Sequence, residues 1–81
     1  MPKYFIDFQD GDFIHKDNEG SDLSSFEGAR KEAVGLLPQI ARDKLPGGEH
    51  RVFIATLCDE GGTALYRATL TFHGEHLSRM V

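Results

Sequence analysis

Apolar residues alternate with polar ones near the start of the chain, a spacing that predicts a β-strand with one buried face. The alternating residues within positions 3–9 are Tyr4, Ile6 and Phe8. Asp10-Gly11 follows, and this dipeptide suits a tight hairpin turn because glycine tolerates positive φ. Residues 13–15 resume an extended pattern, so a β-hairpin is predicted. Residues 17–22 carry no apolar side chain and are expected to form a solvated connection outside the sheet.

The middle of the chain has the three-to-four-residue spacing of an amphipathic helix. The apolar residues of its stripe are Phe26, Ala29, Ala33, Leu36, Leu37 and Ile40. Ser24 and Glu27 match a capping box, which predicts a helix over residues 25–44. Pro38 lacks the N–H that a helix interior needs, so a break or bend is expected near residues 35–38.

Two further strands are predicted after the helix. Residues 45–48 (Leu-Pro-Gly-Gly) are expected to end the helix. Residues 51–58 are rich in β-formers and apolar on both sides, and residues 64–72 alternate well. The turn residues 59–62 between them predict a second hairpin. The C-terminal tail, residues 73–81, is expected to be a frayed end or one short helical turn.

The predicted fold is α+β, with element order β-β-α-β-β in a single domain over residues 1–81. Two hairpins would form a four-stranded sheet, of undetermined strand order, with one helix across one face. The other face would still carry apolar side chains, namely Phe5, Val52, Ile54 and Leu65. Leaving these in water forfeits an appreciable part of a small domain's stability. We therefore expect an interface here or at an exposed edge, with a second copy or another protein. The alternative is that the tail and the glycine-rich loop cover this face.

Motifs spread over nearly the whole chain resemble a known family. They are residues 1–5, Asp10-Gly11, Asp17, Gly20, Ala29-Arg30, Glu32-Ala33, residues 41–46, Asp59-Glu60 and residues 66–70. Together they resemble a family of short bacterial proteins classed only as a domain of unknown function (number 6894). The resemblance implies a small stand-alone cytosolic protein and supplies no catalytic residues. Pro38 departs from the family pattern, in which a plain helix former is more usual.

A weaker similarity is to the antitoxins of HicA/HicB toxin pairs, which begin with an Asp- and Gly-rich hairpin and continue into a Glu-Ala helix. Asp12, Gly20 and Glu32-Ala33 fit that pattern. The similarity implies a small toxin as the binding partner. The third strand and the Pro-Gly turn that usually precede the antitoxin helix are not evident here.

Composition limits the classes of molecule that this chain is expected to bind and the compartment in which it is expected to occur. The formal net charge is -4, from 9 basic and 13 acidic residues, which argues against nucleic acid because nucleic-acid binding depends on phosphate neutralisation. The basic residues are interspersed with acids and are expected to lie on a solvated surface: Arg30, Lys31, Arg42, Lys44, Arg51 and Arg67. No apolar run is long enough for a membrane span or a signal peptide. The single cysteine, Cys58, agrees with a reducing compartment, so a cytoplasmic location is expected.

Two sets of residues are candidate metal ligands. His73 and His76, with Glu75, could face one zinc ion if the tail were helical, although structural zinc takes four ligands. The acidic residues of the first third invite a calcium or magnesium hypothesis: Asp10, Asp12, Asp17, Glu19 and Asp22. Their spacing does not match a calcium-binding loop, and turn formation explains them at least as well. No metal or cofactor is therefore expected.

Nucleophilic catalysis would require Cys58, Ser24 or Ser25 beside a base. The candidate bases are His15, His50, His73 and His76. No spacing pairs a nucleophile with a base, and a lone cysteine in a β-rich segment is usually a small core residue. The sequence thus favours a binding or interaction module without catalytic activity, with a HicB-like antitoxin or a metal-dependent enzyme as the alternatives.

Overall fold

The computed structural model describes residues 2–44 and 50–78. The elements in chain order are β1 (Lys3–Asp10), β2 (Phe13–His15), β3 (Ser21–Asp22), α1 (Phe26–Lys44), β4 (His50–Cys58) and β5 (Ala64–His73). The predicted α+β class is confirmed. Residues 45–48, expected to end the helix, lie outside the described residues, as do residues 79–81 of the tail. Residues 74–78 contain no helical turn.

The strands form one antiparallel sheet in the order β2-β1-β4-β5, so the two predicted hairpins are joined through β1 and β4. In the first hairpin Asp10 pairs with Phe13, which leaves Gly11 and Asp12 as the turn. Gly11 has a φ of 59°, the positive value that such a two-residue turn needs at its first position.

A fifth strand, β3, was not expected. Its two residues pair with Lys3 and Tyr4 of β1, so the prediction that residues 17–22 lie outside the sheet was wrong. Gly20 explains how the chain returns to β1. Its φ is 74°, and a Cβ on it would lie 2.8 Å from Cγ of Lys3, so only glycine fits this close approach.

Helix α1 starts one residue later than predicted. Its N-cap is Ser25, whose Oγ accepts a hydrogen bond from the N–H of Gly28 at 3.1 Å. Glu27 does not close a capping box with Ser24 but binds the guanidinium of Arg30. Serine occurs at both positions 24 and 25, so composition alone did not identify the capping residue.

Pro38 does not break helix α1, which runs without interruption from Phe26 to Lys44. The proline lies on the exposed side of the helix, where a carbonyl left without its N–H partner can be hydrated. The buried stripe lies opposite and consists of Ala29, Ala33, Leu37 and Ala41. The expectation of a break was therefore wrong.

The core lies between α1 and one face of the sheet. Its centre is Phe53 and Leu57 of β4, both fully buried, with Phe8 stacked on Phe53 at a centroid distance of 6.3 Å. Two clusters of buried side chains meet at Ile6. Helix α1 is not apolar enough to cross a bilayer, and the described part of the chain contains no other helix.

Candidate functional site

Strand β4 separates the two faces of the sheet. Phe53, Ala55 and Leu57 point towards α1 and have no exposed surface, whereas the alternate residues Val52 and Ile54 remain half-buried on the other side. We call these the covered face and the open face. Because side chains alternate along a strand, the pairings between strands assign every other residue to one of them.

The four predicted interface residues all lie away from the helix, but not in one patch. Val52 and Ile54 are neighbours on the open face. Phe5 lies four residues further along the same face, opposite Cys58, which is about 13 Å from Ile54 at the rise of a strand. Leu65 occupies the irregularity where Cys58 pairs with Ala64, and it is 42% exposed.

One apolar residue of the open face was missed by the sequence analysis. Ile14 pairs with Gln9, and Gln9 pairs with Ile54, so Ile14 belongs to the same row as Ile54. It is 60% exposed, more than any of the four predicted residues. The two-residue turn after Asp10 was the available signal, because it pairs positions 9 and 14. Ile14 and Ile54 line a shallow depression of about 160 Å³ together with polar side chains, namely Asp7, Gln9, Lys16 and Thr56.

Between the apolar ends of the open face lies a polar loop held by Asp17. Its carboxylate accepts hydrogen bonds from the N–H groups of Ile6 at 3.1 Å and of Gly20 at 3.0 Å. The N–H of Asp17 in turn donates to Oδ1 of Asp7, and Lys16 lies 3.5 Å from the other oxygen of Asp7. Asp17 therefore fixes the connection between β2 and β3, a structural use of its charge.

The pKa of Asp17 reflects two opposing effects. Burial raises the pKa, but hydrogen bonds from the N–H groups of Gly20, Ile6 and Glu19, together with nearby His15, lower it. The net pKa lies below the ordinary aspartate value. Asp17 is thus a well-satisfied carboxylate, whose oxygens are engaged by backbone N–H groups.

The surroundings of Cys58 do not favour a nucleophilic thiolate. Burial raises the pKa of its thiol, and the carboxylates of Asp7 and Asp59 raise it further. Lys16 lowers the pKa, but the net pKa lies above the ordinary cysteine value. A raised pKa disfavours the thiolate that nucleophilic catalysis needs. Over residues 2–44 and 50–78, no three His, Cys, Asp or Glu side chains are grouped so that they could hold a metal ion.

Of the candidate histidines, His73 contacts a second histidine on the neighbouring strand. The ring of His73 packs against that of His50 across β4 and β5, with centroids 5.6 Å apart. Its Nε2 lies 3.7 Å from the carboxylate of Glu75. His15 lies on β2, at the edge of the sheet opposite to β5.

Arg51 is not the solvated residue that the sequence suggested. It donates to both carboxylate oxygens of Asp10, at 2.7 and 2.6 Å, and the Asp10 side chain is only 7% exposed. A second nitrogen donates to the carbonyl of Lys44 in the last turn of α1. Its guanidinium also lies over the ring of Phe53. Arg51 thereby joins the first hairpin, the end of the helix and β4.

A second apolar surface lies on the covered face, between α1 and the first hairpin. A groove of about 510 Å³ separates the helix from the first hairpin. Its apolar lining comes from Ile6, Phe8, Phe13, Leu36 and Ile40. Phe13, at 61% exposed, is adjacent in sequence to Ile14 but points to the opposite face. The first hairpin thus presents one exposed apolar side chain to each face.

Comparisons with known proteins address the family and not the role. Searches of curated proteins and of solved structures each found no match. The family model described as "Domain of unknown function (DUF6894)" matches residues 3–71. This stretch runs from the first residue of β1 into β5 and includes most of the helix-covered core. On this match, the chain belongs to the family of the domain of unknown function DUF6894.

Proposed function

We propose that this protein is a non-catalytic interaction module that binds another protein through the open face of its sheet. The observation that carries the proposal is the row on that face in which Ile14 and Ile54 flank Gln9, with Val52 beside Ile54. Aliphatic side chains rimmed by threonine and charged residues are typical of a protein contact surface. The raised pKa of the Cys58 thiol supports a role without nucleophilic catalysis.

The chain offers a matched pair of variants for testing this face. Ile14→Lys adds a charge to the open face, and Phe13→Lys adds the same charge to the groove on the covered face. The two residues are adjacent and equally exposed, so both variants should fold alike. The measurement is affinity capture from the native cell with each variant and the wild type, followed by mass spectrometry and by direct titration of each captured protein.

The proposal predicts a partner that binds the wild type and Phe13→Lys and is lost with Ile14→Lys. A desolvated charge within an apolar contact weakens binding by at least about tenfold. A partner that binds Ile14→Lys as well as the wild type, or is lost only with Phe13→Lys, contradicts the assignment to the open face.

The HicB-like antitoxin remains a prediction within this proposal. It differs from the general one by its partner, since it requires a small toxin to be captured through the same face. Direct titration of that toxin with Ile14→Lys would then show weakened binding. The metal-dependent enzyme has no geometric support among the described residues.

A further inference from the structure

The two edges of the sheet differ in length. One edge of β1 is covered by the short strands β2 and β3, of three and two residues. The opposite edge is β5, ten residues long, which among the described residues has β4 as its sheet neighbour and no strand beyond it. Long edge strands usually carry prolines, lysines or inward-pointing charges that prevent further pairing. Strand β5 has no proline and no lysine, and it carries one arginine, Arg67.

The pattern of hydrogen bonds shows which backbone groups of β5 face outward. The N–H of Gly11 donates to the carbonyl of Val52, in line with the ladder between β1 and β4. Hydrogen-bonded and non-hydrogen-bonded pairs alternate in an antiparallel ladder. On β4, even-numbered residues therefore direct their backbone groups to β1, and odd-numbered residues direct theirs to β5.

Odd-numbered residues of β4 pair with even-numbered residues of β5, as Phe53 does with Leu70. The even-numbered residues of β5 thus use their N–H and C=O groups on β4. The residues between them direct theirs to the free edge. Arg67, Thr69 and Thr71 consequently present a row of backbone donors and acceptors that an added strand could use.

Exposed apolar side chains collect along this same edge. Leu70 of β5 is 37% exposed although it points to the covered face. On α1, Phe26 is 40% exposed and packs edge-on against Tyr66 of β5. Val34 is 37% exposed and follows, by one helical turn, Arg30, whose guanidinium lies over the ring of Tyr66. Val34 therefore lies on the β5 side of the helix.

We infer that β5 pairs with β5 of a second copy of this chain, so that two sheets become one. A two-fold axis makes this pairing antiparallel, as in the rest of the sheet. With Thr69 opposite its own copy, Arg67 faces Thr71, and no like charges meet. On the covered face the same register places Tyr66 opposite Phe72, an aromatic cross-strand pair. The strand is therefore complementary to itself on both faces.

The position of helix α1 also favours a second copy of the chain as the partner of β5. Helix α1 contacts both β4 and β5. The helix lies mainly over β4. Strands are about 4.8 Å apart, so the helices of two copies would lie roughly 10–14 Å apart, with Val34 and Phe26 on their facing sides. These two side chains would then be shielded from water between the helices, which a peptide strand alone would not achieve.

This inference rests on the proposed interaction role and identifies a second copy of the chain as the partner at the β5 edge. The test uses the full chain. Thr69→Pro removes an outward N–H, and Thr69→Val keeps it with a similar shape. Val34→Lys charges the helix beside β5, and Gln39→Lys places the same charge on an exposed site of α1 away from the sheet. Sedimentation velocity over a concentration series gives the mass, and circular dichroism checks the fold.

We expect dimers for the wild type, Thr69→Val and Gln39→Lys, and a dissociation constant at least about tenfold weaker for Val34→Lys and Thr69→Pro. In the wild-type dimer, the amides of Arg67, Thr69 and Thr71 should exchange with solvent slowly, and Val34→Lys should make them fast. This amide measurement decides the matter even if Thr69→Pro fails to fold.

A wild type that is monomeric up to its solubility limit would overturn the inference. So would a dimer in which those three amides exchange rapidly, or one that Val34→Lys and Gln39→Lys affect equally. Ile14→Lys separates the two proposals, because it should weaken partner binding at the open face by at least about tenfold and leave the β5 dimer intact.

Discussion

Strand β4 contributes to both faces of the sheet, and the two faces differ in what holds them together. On the covered face Phe53, Ala55 and Leu57 are fully buried against α1, and stability comes from packing. The open face is organised instead by backbone pairing and by the contacts of Asp17 and Asp7. One strand can therefore bury half of its side chains in a core and leave the other half available for a partner.

The strongest test of this difference is truncation on each side of β4. Phe53→Ala should cost about 3–5 kcal/mol of unfolding free energy, because it leaves a cavity in the core. The matched change on the open face, Ile54→Ala, should cost less than about half of that, because water already reaches its side chain. Urea unfolding measures both. Equal losses would mean that the open face is packed like the core.

The covered face also contains the Asp10–Arg51 ion pair, and its loss should cause the second-largest decrease in stability. Asp10→Asn keeps the shape of the side chain but leaves Arg51 without its counter-charge, which should cost about 2–3 kcal/mol. Asp12→Asn is the control, since Asp12 is exposed in the adjacent turn. Thermal unfolding of the two variants at neutral pH provides the comparison. If Asp12→Asn were the more damaging change, the role given to Asp10 would be incorrect.

The hydrogen-bonded carboxylate of Asp17 on the open face should make the free energy of unfolding depend on pH. Asp17 has a lowered pKa when folded, so its carboxylate contributes stability at and above the pKa of the unfolded chain. That contribution is lost as the pH falls through the lower, folded pKa. Asp17→Asn should cost about 1.5–2 kcal/mol at pH 7, and less in strong acid. Urea unfolding as a function of pH checks this, and a loss that grows on acidification would contradict it.

The smallest expected effect concerns the cap of the helix that makes one face covered. Ser25→Ala should cost about 1 kcal/mol, because the N–H of Gly28 loses its acceptor. Ser24→Ala should change little and serves as the neighbouring control. Chemical denaturation distinguishes the two. A larger effect of Ser24→Ala would indicate that Ser24 caps the helix, as the predicted capping box requires.

The elements of the fold were largely predictable, because alternation and helical spacing mark segments that are each buried on one side. The α1 stripe and the two hairpins followed directly from this patterning. Strand β3 did not, since Ser21 and Asp22 carry no apolar pattern and pair only because Gly20 allows close approach. Arg51 was assigned to solvent because its partner, Asp10, is 41 residues distant in sequence. Contacts of this kind depend on strand order, which the sequence left open.

The same limits applied to the candidate surfaces. Val52 and Ile54 were found because both sides of β4 are apolar, which is visible in one segment. Ile14 required a register across a turn, and its neighbour Phe13 required knowledge of how far α1 extends over the sheet. The edge of β5 could not be assigned before its hydrogen-bonding direction was known. Local pattern therefore predicts which residues are apolar, while topology decides which of them remain exposed.

The strand order has a consequence for how the chain acquires its structure during synthesis. The central strand β1 emerges before its long partner β4, which follows only after the whole of α1, with Asp10 and Phe53 forming one pair. Closing such distant contacts slows folding. The amino-terminal half should therefore stay unfolded on the ribosome until β4 has emerged, and its apolar segments would be available to chaperones during that interval.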